Sequence, residues 1–386
     1  MTATKKIWPA VKEFCKRADM VLLSLCVVCS LFGIVVIHSA TLTYNNPNKF
    51  VFVQVLSLLL GIAAFIVLTV IDADIIADKW MYLCIFDVLF LLILIPLGYD
   101  GGTGNKSWLR FFGIGIQPSE VVKIVFIIIL AKQISYLKEY KNLNSGWSVL
   151  QLVVHFVLLF GLIVGISSDL GSALIIMFIF IVMVFAAGIK WYWIGIGFAA
   201  AAAVIPFAWS HLLKPYQKAR ILAPYDPQSV DPTGDNITWQ ANQSKMALAS
   251  GKLTGMGLGH GTQTQTSNAL TGKHTDFIFA VIGEELGLIA CVIVLLLLTA
   301  IIIRCCVIGI RSGSNFGMLI CFGVGAAIAF QTFINVGMCM GITPVIGITL
   351  PFFSYGGSSM FTLFAAMGLV SGVRYRRQPR RFSIQY

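Results

Sequence analysis

The sequence predicts an all-α polytopic membrane protein of about ten transmembrane helices, and three observations carry that expectation. Of 386 residues, 58% are hydrophobic and only 11% charged, whereas a soluble chain carries about 25% charged residues. The mean hydropathy is +0.88, and the apolar residues gather into runs of about 17–25, long enough to cross a hydrocarbon core. The 27 Lys and Arg against 16 Asp and Glu make the chain basic, at +11. In so apolar a chain this points to positive-inside loops and anionic lipid, and no nucleic-acid partner is expected.

The runs fall at about 19–40, 50–71, 80–98, 118–135, 148–166, 169–188, 191–212, 276–303, 316–340 and 353–373. The whole chain, 1–386, reads as one membrane domain. Residues 1–18 form a basic N-terminus, and the run after it is too long for a signal-peptide core and lacks a small-x-small cleavage site, so it is a retained first span. The fourth run is short and carries Glu120 and Lys123. With both termini inside, 17 of the 27 cations fall in short inner segments, including Lys79, Lys190, Arg304 and the 374–386 tail. That asymmetry orients the chain N-in and C-in. The long 213–275 segment is then a large extracytoplasmic loop after the seventh helix. All nine cysteines lie in or beside apolar runs and none in that loop, so no disulfide framework braces it. The tail reads as an anchor on anionic inner lipid.

This orientation puts the first residues of the even-numbered spans at the outer surface. Three carboxylates sit there, Glu120, Asp169 and Asp276, with Lys106, Arg110, Lys123, Lys218 and Arg220 on the same side. One acidic residue at a helix N-terminus merely complements the helix dipole; three at one face beside five cations mark a polar, outward-facing site. On a continuous eighth helix, Ala280, Gly283 and Gly287 share the face of Asp276, a small-residue stripe suited to helix packing. Glu285 falls opposite and Glu284 a quarter-turn away, and a structural ion pair is expected to satisfy them. In the long loop, Gln243-Ser244-Lys245 is followed by a glycine alternation from Gly251 to Gly261. No strand precedes that alternation and no G-K-[ST] follows it, which excludes a nucleotide-binding loop and leaves a flexible or re-entrant element beside a diphosphate. His260 and His274 lack metal-spaced partners, so no metal ligand set is assigned. Between the ninth and tenth spans, Pro344 and Pro351 interrupt an apolar stretch that leads into Ser354, Tyr355, Gly356 and Gly357. Irregular backbone at membrane depth must be buried in protein or line a cavity, so this is read as a re-entrant segment, the alternative being a loop at the interface.

These motifs together resemble the SEDS family (shape, elongation, division and sporulation), the bacterial RodA, FtsW and SpoVE proteins. The resemblance covers nearly the whole chain. It rests on Gly104-Asn105-Lys106-Ser107-Trp108, Gln117-Pro118-Ser119-Glu120 with Lys123, Asp169-Leu170-Gly171, Gln243-Ser244-Lys245, His274-Thr275-Asp276-Phe277, Gly283-Glu284-Glu285-Leu286-Gly287, and Leu350-Pro351 through Ser358. It implies a glycosyltransferase that polymerises lipid II, an undecaprenyl-diphosphate-linked disaccharide pentapeptide, at the outer face of the bacterial cytoplasmic membrane. It further implies a class B penicillin-binding protein as transpeptidase partner, with other elongation or division machinery. Ser168 stands where many members have proline, and Lys106-Ser107 where many have two arginines. The Gln243-Ser244-Lys245 and Gly261-Thr262-Gln263 motifs resemble the elongation type, RodA, more than the division type.

By that resemblance Asp276 is the catalytic candidate, as a base or as the organiser of a divalent cation. A lone Asp at a helix N-terminus has its carboxylate favoured and is a weak base, which leans toward the cation. Lys106, Trp108, Arg110, Lys218, Arg220, Gln243, Ser244 and Lys245 are candidates for substrate contact. Glu120 and Lys123, three residues apart on one helix face, can pair. They are assigned to the cavity's architecture with Asp169, Glu284, Glu285 and the 344–357 residues named above. Two other classes remain as alternatives: a flippase for the lipid-linked precursor, and a non-catalytic scaffold.

Overall fold

Each of the ten apolar runs is helical in the computed structural model, which describes residues 2–99, 107–111, 114–266 and 269–376. An amphipathic α1 (Thr2–Arg17) leads into α2 (Met20–Ala40), α3 (Pro47–Val70), a short α4 (Ala73–Asp78), α5 (Trp80–Leu92) and α6 (Leu94–Leu97). An antiparallel hairpin, β1 (Leu109–Phe111) with β2 (Ile114–Ile116), is the one pair of strands among the described residues. It is followed by α7 (Pro118–Tyr140), α8 (Gly146–Leu162), α9 (Leu170–Ala186) and α10 (Trp191–Phe207). The long 213–275 segment is not merely a loop, for it folds into α11 (Pro215–Leu222), α12 (Pro227–Val230), α13 (Trp239–Ser250) and α14 (Thr262–Gln265). The chain ends with α15 (Ile278–Ile310), α16 (Asn315–Cys339) and α17 (Gly357–Tyr375).

Seven helical stretches are long and apolar enough to cross a membrane, three of them, Trp80–Leu97, Gly146–Ser167 and Trp191–His211, because α5, α8 and α10 are continued by the next turn or short helix. The ones at 118–140, 170–186 and 357–375 fall short of that measure for two reasons. One is only 17 residues long. Of the other two, α7 carries Glu120, Lys123, Lys132, Lys138 and Glu139, and α17, with its several small and polar residues, buries most of its length against the rest of the bundle. Its approach to α3 is close because glycine permits it: a Cβ on Gly368 would lie 2.7 Å from the Phe65 carbonyl oxygen. In contrast, α10 buries none of its side chains. An apolar helix exposed on all sides is what a lipid-facing span looks like.

The other end of the bundle is tied by a charge cluster that the pattern of apolar runs does not reveal. Asp19 is fully buried and caps α2 by accepting from Leu22 N at 2.9 Å. It also accepts from Arg304 at 2.8 Å and Arg374 at 2.7 Å, so one carboxylate joins α2, α15 and α17. Burial opposes its ionisation, yet the two guanidinium groups outweigh that and hold its pKa below the usual carboxylate value. Arg376 meets Asp72 at 3.5 Å. The segment assigned to a lipid-binding tail thus begins as the last turn of α17, with two of its cations engaged inside the protein; Arg377, Arg380 and Arg381 lie outside the described residues. Asp19→Ala removes a helix cap and leaves two arginines without their carboxylate. Because those arginines are partly exposed, the expected loss is about 2–4 kcal/mol rather than the full cost of a buried orphan charge. It should be read as a fall in the unfolding temperature of the detergent-solubilised protein, with Asp19→Asn intermediate.

The continuous eighth helix assumed above is corrected in the structure. Helix α15 starts at Ile278, two residues after Asp276, and its backbone leaves helical geometry at Gly287, with φ 78° and ψ −178°. The 252–257 segment is stitched into that break. Met256 N and Gly257 N donate to the carbonyls of Glu284 and Glu285, both at 2.9 Å, and Leu288 N and Ile289 N donate back to Lys252 and Leu253. The expected ion pair is also replaced. Glu284 accepts from Gln263 N at 2.7 Å, Thr264 N at 2.9 Å and the hydroxyls of Thr262 and Thr264. Glu285 accepts from the Ser39 hydroxyl and from Gln265 Nε2. Neutral donors make the direct hydrogen bonds to these carboxylates, while the buried Lys273 acts on both by charge from beyond the Thr264 carbonyl.

Candidate functional site

The N-terminal ends of α7, α9, α15 and α17 meet at one end of the bundle, and the carboxylates found there are held very differently. Asp169 caps α9, its Oδ1 accepting from Ser172 N at 3.0 Å and its Oδ2 from both Ser172 Oγ at 2.7 Å and Gln117 Nε2 at 3.0 Å. The preceding Ser168 adopts a left-handed conformation, φ 52°, at the end of a π-helical turn over Ile163–Ser167. Glu120 and Lys123 form the ion pair that their spacing allows, at 2.6 Å, and both are buried. Asp276 is the exception. Its carboxylate oxygens make no hydrogen bond among the described residues, and Gly347 lies against it, so that a Cβ there would sit 3.6 Å from Asp276 Oδ2.

The turn carrying Asp276 is clamped from three sides. Asn335 Nδ2, on α16, donates to the Asp276 carbonyl and to the Ile348 carbonyl, both at 2.7 Å. Ser354 Oγ donates to the Thr275 carbonyl at 2.6 Å, and Tyr355 N to the His274 carbonyl at 2.8 Å. The His274 ring packs edge-on against Phe50 and Tyr44. Burial, reinforced by Lys273, lowers its pKa to about 4, so the ring is neutral at physiological pH. Lys273 itself is buried and donates to Thr43 Oγ1 at 2.8 Å and to the Thr264 carbonyl.

The 341–356 stretch has irregular backbone throughout, with Ile348, Leu350, Phe352 and Phe353 buried. Pro344 and Pro351 exclude helix, and Gly341, Gly347 and Phe352 take positive φ. Its polar backbone is satisfied by side chains: Gln54 on α3 donates to the Ser354 carbonyl at 3.1 Å and accepts from Gly356 N at 3.2 Å. Gly357 packs on Ser57 of the same helix. Irregular backbone of this kind survives among apolar helices because protein supplies its partners.

A cavity of about 440 Å³ lies between α11, α13 and the start of the 341–356 stretch, and the Asp276 turn is not part of its lining. Arg220 and Lys245 line it with Asn236, Gln240 and Asn242, and none of its lining residues is acidic. Arg220 belongs to both places. It lines the cavity, and its charge acts on Asp276. Burial pushes the pKa of Asp276 up to about 6, the Asp169 carboxylate adds to the rise, and Arg220 opposes it. This corrects the weak-base expectation. Asp276 stands in a turn ahead of the helix, where desolvation of the carboxylate outweighs any favourable dipole.

The other sequence candidates separate. Ser244 is fully buried and donates to the Cys339 carbonyl at 2.8 Å, joining α13 to α16, and Gln243 is buried beside it. Lys218 is half-buried and Trp108 exposed. Arg110 stacks its guanidinium over the Tyr99 ring at 3.8 Å. Lys106 lies outside the described residues. Their hairpin is fastened near Asp169 by Ser107 Oγ donating to the Ser167 carbonyl at 3.4 Å. Gln54 and Asn335 escape a reading focused on charged residues, although an amide inside an apolar run is itself a signal. Among the described residues no three His, Cys, Asp or Glu side chains cluster to hold a metal ion. A divalent cation at Asp276 would therefore draw most of its oxygen ligands from substrate phosphate and water.

Comparison with known proteins agrees with the layout. A profile of the cell cycle proteins FtsW, RodA and SpoVE matches residues 19–378. The chain is 35% identical to the peptidoglycan glycosyltransferase MrdB of Escherichia coli K12, over 82% of this chain and 84% of that protein. It is 33% identical to the probable peptidoglycan glycosyltransferase FtsW of Geobacter metallireducens, over 94% and 96%. Among solved structures, a chain of a peptidoglycan synthase complex that coordinates polymerization and crosslinking superposes with a TM-score of 0.77 at 26% identity, over 93% of this chain and 98% of that one. The rod shape determining protein RodA of Thermus thermophilus shares the fold, with a TM-score of 0.69 at 23% identity over 94% and 98%.

Proposed function

The chain belongs to the FtsW, RodA and SpoVE family, and from that membership we infer that it is a peptidoglycan glycosyltransferase that polymerises lipid II, with Asp276 as the base. The observation that carries this reading is an unpaired, part-buried carboxylate within reach of the charge of Arg220, which also lines an acid-free cationic cavity. In the reaction a hydroxyl of the acceptor sugar attacks the anomeric carbon of the donor. The new glycosidic C–O bond forms as the bond to the lipid diphosphate breaks, the hydroxyl proton passes to Asp276, and the diphosphate departs with the electron pair. A base with a pKa near the working pH suits that transfer, and cations at the leaving group stabilise its developing charge. Arg220 and Lys245 supply them from the cavity, while Glu120–Lys123 and Asp169 brace the helix ends around it.

The same reading has ten spans with both termini inside, so that the Asp276 end of the bundle faces outward from the bacterial cytoplasmic membrane. The cation asymmetry supports this orientation, and the Asp19 cluster then lies at the inner end. A class B penicillin-binding protein is the natural partner, since polymerised strands require crosslinking; the structural resemblance to a synthase chain supports it. The Gln243-Ser244-Lys245 motif favours an elongation role of the MrdB type, although the FtsW relatives are nearly as similar.

Purified protein given labelled lipid II should yield glycan polymer. Transbilayer movement of lipid II without polymer would instead favour a flippase, and neither activity a scaffold. Arg220→Ala removes a charge-assisted contact to the diphosphate and should raise KM for lipid II by about 10-fold or more. Arg220→Lys should recover part of that loss, because charge without the planar fork binds a diphosphate less well. An unchanged KM in both variants would remove Arg220 from the diphosphate site.

A further inference from the structure

We propose that Asn335 is a positioning residue for glycosyl transfer, holding the Asp276 turn and the 346–348 segment at a fixed separation through one amide nitrogen. The inference rests on the reading of Asp276 as the base. Asn335 is fully buried in α16, 59 residues from Asp276 and 13 from Ile348 in the chain. Its Nδ2 has two hydrogens, and each is donated to a carbonyl, of Asp276 and of Ile348, at 2.7 Å. Two acceptors facing one atom fix the orientation of the amide, since the flipped form would set its oxygen against both carbonyls.

The consequence of that orientation is that Asn335 Oδ1 is buried with no hydrogen-bond partner among the described residues. A side chain serving only to fill space would not leave an acceptor unsatisfied, since that is a persistent cost to stability. The bridge therefore does something that an apolar residue of the same size would not. What it joins identifies that role. Gly347, between the two tethered points, lies against Asp276 Oδ2. The flanking residues also pack on α9: a Cβ on Gly171 would lie 3.0 Å from Ile348 Cγ1 and 3.1 Å from the Ile346 carbonyl. The 346–348 segment thus touches both Asp276 and the Gly171 turn that follows Asp169, and Asn335 sets how far the Asp276 turn stands from it. Cys339, one helical turn along α16, makes only a long contact of 3.9 Å to the same Asp276 carbonyl and cannot replace the bridge.

A group acting through the position of a base changes the chemical step more than substrate affinity. Asn335→Leu keeps the volume and removes both bonds. Asn335→Asp keeps the shape but presents an acceptor to two carbonyls. In both, kcat for lipid II polymerisation should fall at least 10-fold, with KM within about twofold of wild type. Asn335→Ser retains one donor and should fall between them and wild type. Each variant is checked for its unfolding temperature in detergent, and Asp276→Asn is assayed alongside. Folded Asn335 variants with wild-type kcat while Asp276→Asn is inactive would overturn the positioning role and leave the base intact. Full activity in Asp276→Asn would overturn the base itself. A rise in KM alone makes Asn335 a binding residue, and failure of all three variants to fold makes it part of the scaffold; both overturn the proposal.

Discussion

Asp276→Asn is expected to abolish glycan polymerisation, lowering kcat by about 10²–10⁴-fold, the range that a positioned general base contributes. The substitution is nearly isosteric and should leave the fold intact. The turn around Asp276 is held by backbone atoms, through the bonds from Asn335, Ser354 and Tyr355 to the carbonyls of residues 276, 275 and 274, none of which involves the carboxylate. Partner binding and unfolding temperature should therefore match wild type while labelled lipid II remains unpolymerised. Undiminished polymer from a folded Asp276→Asn protein would remove the catalytic assignment.

The pH dependence supplies a separate check. A carboxyl whose pKa is raised to about 6 is protonated below that pH and cannot accept a proton. The rate should therefore fall about tenfold per pH unit on the acid side and level off above neutrality. Because Arg220 lowers this pKa and Asp169 raises it, the acid limb should move up in Arg220→Ala and down in Asp169→Asn. Movement of both limbs in one direction would mean that the titrating group is not Asp276.

The helices were legible because apolar runs of membrane-spanning length are a coarse, local signal. Asp276 stood out because the chain has few carboxylates and this one precedes a span. The partners of Glu284 and Glu285 were not legible. A carboxylate in an apolar run demands compensation, but nothing local says whether a cation, a hydroxyl or a backbone N–H will provide it, and here the donors lie 20 or more residues upstream, Ser39 as many as 246. The pKa of Asp276 was misjudged for a related reason. Helix-dipole reasoning is one-dimensional, whereas the 341–356 stretch that buries the turn arrives from more than sixty residues away. Gln54 and Asn335 were visible as letters, yet their importance lies in which two carbonyls or which loop they reach.

The break at Gly287 was the least legible feature, since the 276–303 run is apolar apart from a few residues including its three carboxylates, and a helical wheel presumes continuity. It also carries the largest expected effect on stability. Gly255→Ala and Gly287→Ala should each destabilise the protein by about 3 kcal/mol or more, enough to prevent normal accumulation in the membrane. Both residues have positive φ, 80° and 78°, where a side chain costs about 1–2 kcal/mol, and both are also in contact with backbone that cannot yield easily. A Cβ on Gly255 would lie 2.2 Å from the Glu285 carbonyl oxygen, and one on Gly287 2.4 Å from Gly255 N. Gly313 is the control. It too has positive φ, 77°, but open space around it, so Gly313→Ala should cost only the conformational part. Because the two seam glycines meet across one set of four hydrogen bonds, their effects should not add, and the double variant should be little worse than either single one. Additive losses, or a Gly255→Ala protein as stable as Gly313→Ala, would mean that the seam does not act as a unit. Damage should also reach the active site. The seam holds Glu284, which holds Thr264, whose carbonyl receives Lys273, three residues before Asp276. A Gly255→Ala protein recovered at low temperature should therefore polymerise more slowly than its folded fraction accounts for.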